Sequence, residues 1–154
     1  MVIAGATQRV YCEGQDITDA IRSRRVSEAV SQVAAFPEVR EALVKTQRLL
    51  AENQNVVMDG RDIGTVVLPF ADCKIFLTAS VQERAKRRMR ERRAAEGEVS
   101  LDDVAREIQQ RDEEDMKRQY SPLVQAQDSI LLNTTDLSLP EAVQAALRIA
   151  RSAR

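Results

Sequence analysis

Two short apolar runs constrain this chain most, "NVVMD" at residues 55–59 and "CKIFLTA" at 73–79, and a third, "SILLNTT", follows at 129–135. Each is nearly continuous in apolar character rather than alternating, the pattern of strands covered on both faces in a parallel sheet. Strand, long helical crossover, strand, helix is the order of an α/β fold.

The remaining elements are read from periodicity and caps. "QRVYCEG", at 8–14, alternates and closes on glycine, predicting a short strand and turn. One helix is predicted near 19–35. Another starts with Pro37 in its first turn and runs through "PEVREALVKTQRLLAEN", with Val39, Leu43 and Leu50 on its apolar stripe. Ser80-Val-Gln-Glu83 predicts a capping box that opens a basic helix interrupted near Gly97. Ser100 caps the next helix, which runs to about Tyr120 and is stopped near Pro122. Ser138-Leu-Pro-Glu141 caps a final amphipathic helix. There is no internal repeat and no low-complexity linker, so the 54 residues ahead of the first parallel strand read as an insertion placed before the sheet.

Composition narrows the chemistry. The length of 154 residues and 44% hydrophobic content suit one ordinary domain with a real core. A net charge of -1 exerts no global pull on nucleic acid or anionic lipid. Arginine outnumbers lysine 19 to 4, which fits anion handling through planar forks, and fits equally a compositional bias of a GC-rich genome. With no histidine, the usual general base, the usual zinc ligand and every Ser-His or Cys-His arrangement drop out. Cys12 and Cys73 are isolated and lack metal spacing, so no metal site is expected and a reduced, cytoplasmic setting is the simplest inference. No apolar run approaches the ~20 residues of a membrane span, and neither export nor a membrane partner is expected.

Three stretches carry candidate chemistry. In open parallel sheets ligands collect beyond the carboxyl ends of strands, where Asp59, Gly60, Arg61 and Asp62 follow "NVVM". Arg61 there either projects toward a bound anion or closes the loop in an Asp-Arg pair, and the two readings stand even. In "QQRDEEDMKRQ", Arg111, Asp115 and Arg118 share one helix face by their i, i+4, i+7 spacing. That face suits a sugar hydroxyl and a phosphate, or is an ordinary solvated surface laced with ion pairs. "ERAKRRMRERR" holds seven basic residues and one acidic residue between Arg84 and Arg93, a solvated face, a nucleic-acid arm or an arginine-bearing flap over polyphosphate. No aromatics are interleaved for base stacking, and nucleic-acid binding ranks last.

Taken in order, "AIRSRRVSEAVSQVAAFPEVREALVKTQR", "MDGRDIGTVVLPFADCKIFLTAS", "ERAKRR" and "EIQQRDEEDMKR" resemble consecutive landmarks of bacterial cytidylate kinases, from about residue 8 to the C-terminus. The resemblance implies a P-loop NTPase-like parallel sheet with helices on both faces. Residues 1–54 would form a nucleoside-monophosphate-binding insertion, and 55–154 part of the kinase core with a lid at about 84–100. It implies transfer of the γ-phosphoryl group of ATP, carried with Mg2+, to CMP or dCMP, by a monomer. By position it assigns Ser31, Arg40 and Asp62 to the cytosine edge, Arg61 and Arg118 to the acceptor phosphate, and Arg111 and Asp115 to the sugar. Arg84 and Arg88 are assigned to the lid over ATP. Cytosine accepts at O2 and N3 and donates at N4, so serine and arginine can donate to it while an aspartate accepts. Phosphoryl transfer runs on alignment and charge neutralisation, which needs no histidine.

The sequence departs from that family in one respect. Its glycines stand at 5, 14, 60, 64 and 97, and there is no Gly-Lys pair, so the GxxGxGK-type loop that cradles ATP phosphates is missing together with its flanking strand and helix. The expectation is an N-terminally shortened form with an incomplete sheet, which binds CMP weakly, transfers no phosphate alone and gains from the missing segment supplied in trans. The alternative is a non-catalytic nucleotide- or partner-binding module that retains the CMP site.

Overall fold

The computed structural model describes residues 2–4, 7–34, 36–96 and 99–153. The chain divides into two compact units, Met1–Thr46 and Gln47–Arg154.

The first unit opens with two antiparallel hairpins, β1 (Val2–Ala4) with β2 (Thr7–Arg9) and β3 (Tyr11–Cys12) with β4 (Gln15–Asp16). Glu13 and Gly14 join the second pair with φ of 51° and 82°, the double left-handed turn whose twist matches a tight hairpin and which glycine favours. Behind it Thr18 is buried, its hydroxyl accepting from Val10 N at 2.9 Å while its own N–H donates to Asp16 at 2.9 Å. The helix expected near 19–35 is split. A single 3-10 turn, Ala20–Arg22, precedes α1 (Arg24–Val33), because Ser23 adopts an extended backbone and its hydroxyl caps the new helix by accepting from Val26 N. α2 (Pro37–Ala51) starts at proline as expected and runs across the division between the units. Its buried residue is Val44, whereas Leu43 and Leu50 of the expected stripe are exposed.

In the second unit β5 (Ile75–Thr78) and β6 (Ile130–Asn133) pair in parallel, Ile75 opposite Ile130 and Thr78 opposite Asn133. Between them lie the long helices α3 (Val81–Glu96) and α4 (Leu101–Lys117), which pack on each other, and α5 (Leu139–Ser152) closes the chain. This is an α/β arrangement with a small parallel sheet. Ser80 caps α3 by accepting from Glu83 N, Ser138 and Glu141 form the full capping box of α5, and Ser100 precedes α4 without a side-chain capping bond. Gly97 lies outside the described residues. α4 ends at Lys117, three residues before the expected Tyr120.

One expected strand is corrected. Residues 55–59 form no strand, and Val57 is wholly exposed. A strand exists only where a neighbour takes its hydrogen bonds, and among the described residues β5 pairs with β6 alone. The chain is instead ordered just beyond, in a π-helical turn over Ile63–Val67 whose first carbonyls, of Asp62 and Ile63, accept from Val66, Val67 and Leu68 N–H groups. Arg48, on the last turn of α2, donates from Nε to Val67 O at 2.9 Å and from a terminal nitrogen to Val66 O at 2.7 Å. That satisfies carbonyls at the far end of the turn, beside the buried Val67 side chain.

Candidate anion-binding site

Arg61 and α4 come together around one carboxylate. Asp115 is 1% exposed, and its Oδ2 accepts from Arg61 Nε at 2.7 Å while Oδ1 pairs with Arg118. Arg61 thus crosses 54 residues of sequence to find its partner, on the helix face that carries Arg111 and Arg118, rather than pairing within its own loop. Gly60 is needed for space, not for a left-handed backbone. A Cβ there would come within 2.9 Å of Ile63 Cγ1. Lys74 packs its methylenes against Gly64 and donates to Asp128 at 2.5 Å, fixing the other side of the turn.

The electrostatics are one-sided. Burial, and then the nearby Arg61, push the Arg111 guanidinium below its ordinary value, with Arg88 and Arg118 adding to the repulsion and Asp115 opposing it. Arg111 Nε is buried with no hydrogen-bond partner among the described residues. A buried donor left unmet beside crowded cations is stabilised by an anion that accepts from it. A phosphate monoester meets the crowding of cations, and an acceptor oxygen of the same ligand, on the phosphate or on an adjoining hydroxyl, meets the open Nε–H.

The other candidates fall as follows. Asp62 is 4% exposed at the head of the π-helical turn. Arg88 is half-buried and faces the cluster, whereas Arg84 is engaged elsewhere, donating bidentately to Asp112 at 3.0 and 2.5 Å and from Nε to Ala79 O at 3.1 Å. Arg40 lies half-buried on α2 in the first unit. Ser31 lies on α1, its side chain outside the described residues, as is that of Arg93 and as are lid residues 97 and 98. Sequence reasoning missed Arg48 and Asp112. Asp112 carried a usable signal, adjacency to Arg111 on a helix packed against an arginine-rich one; Arg48 carried none.

Arg87 ties the root of α3 to the end of the sheet, donating to Thr134 O at 2.7 Å and to Thr134 Oγ1 at 3.2 Å. α3 therefore rises from the carboxyl end of β5 and is tied to that of β6. Among the described residues no cluster of three or more His, Cys, Asp or Glu side chains is set to hold a metal ion. No helix of the described residues is long and apolar enough to cross a membrane.

The family described as Cytidylate kinase matches residues 1–152. A protein named Cytidylate kinase from Desulfitobacterium hafniense (strain Y51) is 55% identical over 144 residues, covering 94% of this chain and 62% of its own length. Its namesake from Carboxydothermus hydrogenoformans is 51% identical, covering 92% and 64%, and that from Shewanella loihica 46% identical, covering 90% and 60%. The chain spans a little over three fifths of the length of the curated relatives it matches.

Proposed function

The chain belongs to the cytidylate kinase family, and from that premise we propose that it carries the acceptor side of an ATP-dependent CMP or dCMP kinase. The observation that carries this is the convergence of Arg61 and Arg118 on buried Asp115, beside the unmet Nε of Arg111.

On this reading Arg61 and Arg118 hold the 5′-phosphate of CMP or dCMP, and Arg111 with Asp115 holds the sugar. Ser31 and Arg40 donate to the cytosine edge while Asp62 accepts from its amino group. Uracil reverses the donor pattern at N3 and at the 4-position and is rejected because it leaves buried polar groups unpaired. In the reaction an oxygen of the CMP phosphate forms a bond to the γ-phosphorus of ATP as the bond to the β-phosphate oxygen breaks, and ADP leaves. These residues contribute alignment and charge neutralisation, with Arg84 and Arg88 on the ATP side. Mg2+ would arrive bound to phosphates. Residues 1–54 then serve as the monophosphate-binding insertion, 55–154 as core and lid, of a monomer working in the cytoplasm on small nucleotides.

Calorimetric titration of CMP into the chain tests the reading. Binding is expected to weaken by about tenfold or more in Arg61→Ala. Wild-type binding indifferent to that change would sink it. A second reading is a non-catalytic nucleotide- or partner-binding module that retains the CMP site. ADP release from ATP plus CMP, measured with and without the N-terminal segment of a relative, separates the two.

A further inference from the structure

We propose that Asp112 is a positioning residue of the anion site, forming with Arg84 a strut that sets α4 against the carboxyl end of β5. The inference rests on the acceptor-phosphate reading of that site. Arg84 spends its planar fork on both Asp112 oxygens at 3.0 and 2.5 Å and its Nε on Ala79 O at 3.1 Å, next to the last residue of β5. A bidentate pair fixes rotation as well as distance. Asp112 precedes Asp115 by three residues, under one turn of a stiff helix, so any tilt at 112 is carried directly to the carboxylate that seats Arg61. Among the described residues a second α3–α4 bridge, Arg92 with Glu107 at 2.7 Å, lies more than a turn farther from the site. Because small misplacements of a phosphate-holding group are costly, the strut governs affinity without touching the ligand.

The test follows the Arg61 Nε–H by 15N NMR in the intact ligand-free chain, with far-UV circular dichroism reporting the fold. Asp112→Asn is expected to raise the exchange rate of that proton by about tenfold or more and to weaken CMP binding comparably. Asp112→Glu keeps the charge and should stay within about threefold of wild type on both counts. Arg92→Gln, which removes only the remote bridge, should leave both unchanged. If Asp112→Asn does not fold, Arg84→Lys repeats the test by keeping one ion pair and losing the fork. Exchange at Arg61 unaffected by the loss of the strut, or raised equally by Arg92→Gln, overturns the proposal. Failure of the wild type to bind CMP discards the acceptor-phosphate reading instead, and the exchange result then judges the strut alone.

Discussion

Asp115 is buried between two arginines, Arg61 on one carboxylate oxygen and Arg118 on the other. Removing one leaves a desolvated carboxylate short of a partner, which costs about 1–3 kcal/mol. Arg118→Ala is therefore expected to lower the urea-unfolding free energy by about that amount, and an unchanged unfolding midpoint would contradict the geometry. Two exposed carboxylates give the chain an acid limb. The hydrogen bond from Lys74 holds the Asp128 carboxyl below its ordinary value, and that from Ser138 does the same for Glu141. Both bind protons less readily folded than unfolded, so their contribution is complete above the ordinary carboxylate range and is lost as pH falls through the depressed folded values. The gap in melting temperature between wild type and Lys74→Met should thus narrow as pH falls from about 5 to about 2. Calorimetry showing a constant gap would refute this. At this scale the sequence announced which arginines matter but not whom they meet: the i, i+4, i+7 spacing exposed Arg111, Asp115 and Arg118, while nothing local links Arg61 to a carboxylate 54 residues away.

Elements were legible where local rules decide them. Pro37 starts α2, Ser138 and Glu141 start α5, and the apolar runs at 75–78 and 130–133 pair as a parallel ladder. They were illegible where a partner decides them. Residues 55–59 have the composition of a buried strand and, without a hydrogen-bonded neighbour among the described residues, do not form one. Ser23 shows the reverse case, a local cap dividing what periodicity read as one helix. The caps themselves make a prediction. Ser138 bonds Glu141 through both its N–H and its hydroxyl, so Ser138→Ala should cost about 0.5–2 kcal/mol. Ser100→Ala should cost far less, since that hydroxyl makes no capping bond. Thermal unfolding of the two variants gives the comparison, and equal losses would show that residue type, not the observed bond, sets the cap.

Across the whole molecule the balance of apolar surface is unusual. Val57, Phe70, Leu77, Leu131 and Leu139 are all more than half exposed, and they flank or belong to the elements of the second unit. Apolar surface in that quantity favours self-association and dye binding. Sedimentation velocity should show mass increasing with concentration, together with strong binding of a hydrophobic fluorophore; a monodisperse, dye-silent protein would count against the exposure described. The stretch 55–59 has a separate consequence. None of its amides donates a backbone hydrogen bond among the described residues, and Val57 stands clear of its surroundings. A chain so presented slides into a protease cleft without prior unfolding. Brief thermolysin treatment should therefore nick the polypeptide beside Val56 or Val57 before it digests the long helices, leaving a clean two-band ladder whose junction marks the weakest point of the fold.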